Sequence, residues 1–91
     1  MTLHRPTDPL ARRRSLLATL YFEPASSARV RQLVQQMELV HNLAVSGDLV
    51  RADLQWLQEL GLVQCKDDAA QLTERGCDVA QWRAAFPGLG V

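Results

Sequence analysis

Residues 45–76, VSGDLVRADLQWLQELGLVQCKDDAAQLTERG, contain the clearest structural pattern of the chain. Its first half predicts an amphipathic helix from Ser46 to Leu60, because apolar residues recur there at the spacing of one helix face. That face consists of Val50, Leu54 and Leu57, widened by Leu49, Trp56 and Leu60. Ser46 is a favoured N-cap, and Gly61 is the residue expected just after the helix ends.

A short β-hairpin and another helix are predicted to follow. The segments 62–66 and 70–72 read as extended, and Asp67–Ala69 reads as the turn between them, because aspartate side chains bond the local backbone in turns. Thr73 is then a suitable cap for a last helix, which we expect to run to about Phe86.

Two more helices precede this stretch. Asp8 and Pro9 form a strong helix start, and this first helix should run to about Phe22. A second helix, capped by Ser26 or Ser27, should run to about Val40. Residues 41–45 would be the turn into the third helix. We expect one domain over residues 1–91, with residues 1–7 as a flexible arm and 87–91 as a short tail.

Helix, short hairpin and helix is the pattern of the winged helix-turn-helix superfamily, which the chain resembles. The signature residues are Leu60-Gly61-Leu62-Val63 and Leu72-Thr73-Glu74-Arg75-Gly76. Together with Val45-Ser46, Val50-Arg51, Asp53-Leu54, Trp56-Leu57 and Phe86-Pro87-Gly88, they are similar to a family of small winged-helix proteins of Mu-like bacteriophages and prophages. The resemblance implies a mainly α (α+β) fold of three to four helices plus a two-stranded β-hairpin wing.

The charge is distributed unevenly, although the 91-residue chain is neutral overall. Residues 1–41 hold six arginines against three carboxylates (+3), and residues 42–91 hold four basic residues against seven carboxylates (−3). The predicted contacts to a DNA backbone are Arg5, Arg12, Arg13, Arg14, Arg29, Arg31 and Lys66. The predicted base contacts, on the outward face of the third helix, are Arg51, Gln55 and Gln58.

Acidic residues on the third helix and at the wing tip support an alternative function. Asp48 and Glu59 lie on the third helix, and Asp67 and Asp68 follow Lys66 at the wing tip, where DNA-binding wings usually offer basic residues. The preferred hypothesis is a phage-derived DNA-binding or regulatory protein in the bacterial cytoplasm. The alternative is a protein-interaction module of a phage packaging or assembly system, which meets a basic protein partner.

The last helix has a wide apolar surface, and this predicts a homodimer. Val79, Trp82 and Phe86 form one stripe and are the expected interface residues, because aromatic anchors dominate interface energetics. Burial of that stripe within the chain is the open alternative.

The sequence offers no chemistry for catalysis or for a cofactor. Cys65, Cys77, His4 and His41 lack zinc-ligand spacing, and no phosphate-binding glycine loop or nucleophile elbow is found. No apolar run is long enough for a membrane span or a signal peptide. We therefore expect a cytoplasmic protein that is not an enzyme and has no metal, cofactor or membrane partner.

Overall fold

The computed structural model describes residues 8–82, which form four α-helices and a three-stranded antiparallel sheet. In chain order the elements are α1 (Pro9–Phe22), a 3-10 turn (Pro24–Ser26), β1 (Ser27–Arg29), α2 (Val30–His41), α3 (Gly47–Glu59), β2 (Val63–Lys66), β3 (Ala69–Leu72) and α4 (Glu74–Ala80). The predicted α+β class is confirmed.

The helices α1 and α3 begin at the predicted caps. An Asp8 carboxylate oxygen accepts a hydrogen bond from the backbone N–H of Leu10 at 3.0 Å, and the Ser46 hydroxyl accepts one from Leu49 at 3.0 Å. Both bonds satisfy N–H groups that the first helical turn leaves without a partner. After α3, Gly61 has a φ of +76°, the left-handed conformation that glycine adopts without a steric cost.

The region before α2 differs from the prediction. A helix capped by Ser26 or Ser27 was expected, but β1 occupies this place and α2 begins only at Val30. The backbone N–H of Val30 donates to the carbonyl of Asp68 at 2.9 Å, next to the hairpin turn. β1 is therefore held by pairing with a strand some 40 residues away in the chain, so the sheet has three strands instead of the predicted two.

In the sheet, β3 lies between β1 and β2 and pairs antiparallel with both. Gln71 lies opposite Ser27 on one side and Gln64 on the other. Because side chains alternate along a strand, Ala70 and Leu72 point to the opposite face and are buried. One face of the sheet therefore covers the core, and the other carries polar residues.

The hairpin between β2 and β3 turns in two residues. Asp67 and Asp68 have φ values of +51° and +60°, and two successive positive φ values are what a type I′ hairpin turn requires. Aspartate tolerates this conformation better than most residues. Ala69, which was predicted as part of the turn, is the first residue of β3.

Three outward backbone N–H groups at the two edges of the sheet are bonded within the chain. The N–H of Cys65 in β2 points away from β3 and donates to the side-chain oxygen of Gln58 at 2.7 Å. In β1, the N–H of Arg29 donates to the side-chain oxygen of Gln32 at 3.0 Å, and the first N–H of the strand donates to the carbonyl of Pro24.

The helices and the inner face of the sheet enclose one apolar core. Its most buried members are Leu16, Leu17, Leu20, Val30, Leu33, Met37, Val50, Leu54, Leu57, Leu62, Val63, Ala70 and Val79. Burial of this apolar surface is the main stabilising contribution to the fold.

Thr73 joins the end of α3, the hairpin and α4. Its hydroxyl donates to the carbonyl of Gly61 at 2.6 Å and accepts from the N–H of Gly76 at 3.0 Å. Its own N–H donates to the carbonyl of Leu62 at 3.0 Å. A Cβ atom on Gly76 would overlap that same carbonyl, so the close approach of α4 requires glycine. These contacts account for the Gly61, Thr73 and Gly76 of the sequence signature.

The last helix is shorter than predicted. It ends at Ala80, and Trp82 has a φ of +63°, which stops a right-handed helix. The predicted end at Phe86 lies outside the described residues.

Candidate nucleic-acid interface

The helix α3 buries one face in the core and exposes the other. Arg51 and Gln55 lie one helical turn apart on the exposed face, and Gln58 lies about one turn further on. All three residues predicted to contact bases are therefore on the solvent side. Asp48 and Glu59 are exposed near the two ends of the same helix.

Arg51 is engaged by the hairpin turn. Its Nε and Nη2 donate to the two carboxylate oxygens of Asp68 at 2.7 and 2.9 Å, and its Nη1 donates to Asp48 at 3.2 Å. The hydrogen bonds from Arg51 hold the pKa of Asp68 below its ordinary value, and Asp68 in turn raises the pKa of Arg51. Both side chains are about half exposed, so a phosphate or a base edge can compete for this guanidinium.

The two glutamines differ in what they already bind. The side-chain oxygen of Gln58 accepts the N–H of Cys65, and this contact links α3 to the outer edge of β2. Gln55 is exposed and lines a groove of about 230 Å³ between α3 and the hairpin turn, together with Arg51 and Lys66. Gln55 is therefore better placed than Gln58 to reach a ligand with both ends of its amide.

The structure contradicts the predicted DNA-backbone role of Arg12. Its side chain is 9% exposed, and its Nε and Nη2 donate to the two carboxylate oxygens of Asp53 at 2.5 and 2.8 Å. Hydrogen bonding to Asp53 raises the pKa of Arg12. Asp53 is itself 2% exposed, and a carboxylate buried to this extent requires such partners.

Arg13 belongs to the same cluster. Its Nε donates to Asp53 at 3.0 Å, and its guanidinium stacks over the ring of Trp56, 4.2 Å from the ring centroid. Arg14 points to another side of α1 and stacks over the ring of Trp82 at 3.2 Å. Burial lowers the pKa of Arg14. Arg12 and Arg13 thus both bind Asp53 of α3, whereas Arg14 contacts Trp82 near the end of the described residues, so the three consecutive arginines form no common basic patch.

Exposed basic side chains remain at the start of α2 and on the hairpin. Arg29 in β1 and Lys66 in β2 lie on opposite sides of Ala69 in the register of the sheet, on its outward face. Arg31 is exposed in the first turn of α2. The bond from Val30 to the hairpin turn brings this region next to the turn that also binds Arg51. The remaining predicted backbone contact, Arg5, lies outside the described residues.

Of the predicted dimer residues, the structure describes Val79 and Trp82, and these two differ in exposure. Val79 is 3% exposed and packs in the core, so it has almost no surface to offer a second copy. Its assignment to the interface is corrected accordingly. Trp82 is 66% exposed, and Phe86 lies outside the described residues.

The sequence did not predict the contacts that Asp53 and Asp68 make with arginines. Asp53 falls three residues after Val50 and four before Leu57, which places a carboxylate on the buried face of α3. A carboxylate at that position signals a basic partner elsewhere in the chain. Asp68 was noticed as an acidic wing residue, but its pairing with Arg51 bridges 17 residues and leaves no local signal.

Within residues 8–82 we find no cluster of three or more His, Cys, Asp or Glu residues that could hold a metal ion. In the same range, no helix is both long and apolar enough to span a membrane. Cys77 is half-buried. Cys65 is exposed as a residue, but its thiol lies against the carbonyl of Leu54, and this partial desolvation raises the pKa of the thiol. The side chain of His41 lies 3.1 Å from the hydroxyl of Thr19, and burial lowers its pKa.

Comparison of the chain with protein-family models, with curated proteins and with solved structures found no match.

Proposed function

We propose that this chain is a winged helix-turn-helix protein that binds DNA and acts as a regulator. In this proposal α2 and α3 form the helix-turn-helix, α3 is the recognition helix, and the β2–β3 hairpin is the wing. The element order and the strand order β1-β3-β2 support this architecture. The function rests on one observation, the exposure of Arg51 and Gln55 one turn apart on the outward face of α3.

These two side chains have the chemistry for reading bases. Arginine donates two hydrogen bonds to a guanine in the major groove, and glutamine pairs with an adenine in the same way. Gln58 has a lesser role, because the N–H of Cys65 already occupies its amide oxygen.

Fewer basic residues are available to contact the DNA backbone than the sequence suggested. Arg29, Arg31 and Lys66 are exposed next to α3, whereas Arg12 is committed to the interior. With about three phosphate contacts per copy, the logarithm of the binding constant should fall against the logarithm of the salt concentration with a slope of roughly −3.

The biological setting is proposed from the sequence resemblance alone. A relationship to small winged-helix proteins of Mu-like bacteriophages and prophages supports a phage-derived regulator in the cytoplasm of a bacterial host. No catalytic step, metal or cofactor is part of the proposal.

The first test is selection of duplexes from a random pool, followed by fluorescence anisotropy on the selected sequence. Arg51→Ala should weaken binding to that sequence about 5- to 150-fold, the value of one bidentate base contact. Arg75→Ala is the matched control, because Arg75 is an exposed arginine that the proposal leaves outside the interface. Absence of binding at 20 mM salt, where phosphate contacts are strongest, would remove the DNA hypothesis.

A second candidate, a module that binds a basic protein, is favoured by the carboxylates around α3. Asp48, Glu59 and Asp67 are exposed, and Asp68 neutralises the one arginine on that face. A basic phage protein of a packaging or assembly system would fit this surface.

The two candidate functions predict opposite effects of Asp68→Asn on binding affinity. This substitution releases Arg51 and removes a carboxylate beside the phosphates, so DNA should bind more tightly. A basic partner would lose one of its charge contacts and bind more weakly. Co-purification of wild type and Asp68→Asn with the products of neighbouring phage genes measures the second effect, and anisotropy measures the first.

A further inference from the structure

The outward face of α1 carries an exposed apolar surface that the proposed DNA interface does not use. Arg14, Ala18 and Phe22 follow each other at four-residue intervals along this face, and the Phe22 side chain is 83% exposed. A contiguous exposed apolar patch on a small domain is typical of a contact surface for another protein.

Two grooves flank this face. One, of about 190 Å³, lies between α1 and α2, with Phe22, Glu23 and Val40 at its rim. The other, of about 200 Å³, lies between α1 and α4, with Arg14 and Trp82 at its rim. Ala18 and His41 line both grooves, so the surface is continuous. Val40 and Trp82 are 65% and 66% exposed.

We propose that two copies of this chain pair through this surface, with their α1 helices antiparallel and crossing at Ala18. Phe22 lies four residues after Ala18 and Arg14 lies four before it, about 6 Å along the axis in each direction. A two-fold axis at Ala18 therefore sets Phe22 of each copy against the groove between α1 and α4 of the other. The contact forms twice, as a symmetric dimer requires.

The charges at the two ends of the surface are complementary across the proposed two-fold axis. Glu23 lies at the Phe22 end and Arg14 at the opposite end, so antiparallel pairing brings each Glu23 to an Arg14 of the second copy. The guanidinium of Arg14 is held flat on Trp82, and a stacked guanidinium presents its edge to a carboxylate. A carboxylate across the interface also offsets the burial that lowers the pKa of Arg14.

Small residues allow the helices to approach closely. Ala18 lies at the crossing point, and Ser15 lines the groove between α1 and α4 that receives Phe22 of the second copy. The surface contains no residue of α3 or of the sheet. The pairing is therefore independent of the proposed DNA binding, and either can fail without the other.

The first experiment is sedimentation equilibrium of the full chain between 1 and 200 µM. We expect a dimer that Phe22→Ser weakens at least ~10-fold, because buried aromatic anchors carry much of the energy of an interface. Leu39→Ser is the matched control, because Leu39 is 78% exposed but lines neither groove. Its dissociation constant should equal that of the wild type.

The second experiment exchanges charges between copies. Arg14→Glu and Glu23→Arg should each weaken the homodimer, because each sets like charges opposite one another at both ends. A mixture of the two variants restores opposite charges at both ends, so heterodimers should form in preference to either homodimer. The mixture also serves as a folding control, because a variant that had failed to fold could not be rescued by the other.

A chain that stays monomeric up to 200 µM overturns the proposal, and this includes the case in which residues 83–91 of the same chain cover the surface. A dimer that Phe22→Ser leaves intact, or variants that do not prefer each other in the mixture, overturns it as well.

Discussion

Two arginine–aspartate pairs of the same chemistry lie in different surroundings. Arg12 and Asp53 share two hydrogen bonds, with 9% and 3% of their side chains exposed. Arg51 and Asp68 also share two hydrogen bonds, with 50% and 56% exposed. Because water competes for the second pair and not for the first, the buried pair holds α1 against α3, while the exposed pair is open to a ligand.

Burial also changes how much stability is lost when one residue of the pair is removed. A buried pair adds little stability over an apolar pair of the same shape, but a single charge left behind in the interior is very costly. An exposed pair leaves both residues in water when it is broken. The two pairs should therefore respond differently to substitution, to salt and to acid.

Asp53→Ala should lower the free energy of unfolding by about 3–5 kcal/mol, because it leaves Arg12 buried without its carboxylate. Urea unfolding followed by circular dichroism measures the loss. The double variant Arg12→Met with Asp53→Leu removes both charges, and its stability should recover most of the loss. A double variant as unstable as Asp53→Ala would show that the pair itself, and not the orphaned charge, sets the stability.

Arg13→Ala is an intermediate case, because the side chain of Arg13 is 21% exposed. It removes one hydrogen bond to Asp53 and the stacking on Trp56, and should cost roughly 1–2 kcal/mol. Arg13→Lys keeps the charge but not the planar stacking, so it should recover only part of this stability. Equal stability of the alanine variant and the wild type in urea would show that the stacked arrangement contributes nothing.

Asp68→Asn should change the unfolding midpoint in urea far less than Asp53→Ala does. Salt should separate the two pairs further, because dissolved ions screen exposed charges and leave buried ones almost unaffected. Raising the sodium chloride concentration from 0.05 to 1 M should reduce the small difference between wild type and Asp68→Asn. A difference that persists at 1 M would mean that Asp68 stabilises the hairpin by some other route.

Lowering the pH should give the smallest change in folding stability, and the direction of that change follows from the pKa of Asp68. Arg51 lowers that pKa from its ordinary value of 3.8, so the stabilisation is complete above pH 3.8 and is lost as the pH falls through the lower value of the folded state.

His41 affects stability over a different pH range. Burial lowers its pKa from 6.5, so the folded state loses stability as the pH falls below 6.5. The His41 loss is common to wild type and Asp68→Asn and cancels in their difference, which thermal melts from pH 7 to pH 2.5 would follow.

The sequence was sufficient for the elements that local signals define. Asp8 with Pro9, and Ser46 with Gly61, mark the boundaries of α1 and α3, because caps are interactions between near neighbours. The apolar spacing in α3 identified its buried face correctly. The hairpin was found because two aspartates break an extended run.

Elements that depend on distant pairing were missed. The strand β1 has three residues, too few for a recognisable alternation, and it exists because β3 lies beside it. Arg12 was predicted to contact a DNA backbone as part of an arginine cluster, a role that requires an exposed side chain. Its burial follows from Asp53, which lies 41 residues further along the chain. At the candidate site, the sequence predicted that Arg51 and Gln58 lie on the outward face of α3. It did not predict the hydrogen-bond partners that they have on the hairpin, because these lie outside α3.

The bonded edges of the sheet bear on how the protein behaves at high concentration. A strand from another molecule adds to a sheet by pairing with a row of free backbone donors, and this is how fibrils begin. Here the amides of Cys65, Ser27 and Arg29 already have partners within the chain. An incoming strand would have to compete with Gln58 and Gln32 for two of these donors, so the two glutamine side chains oppose strand addition at the edges of the small sheet.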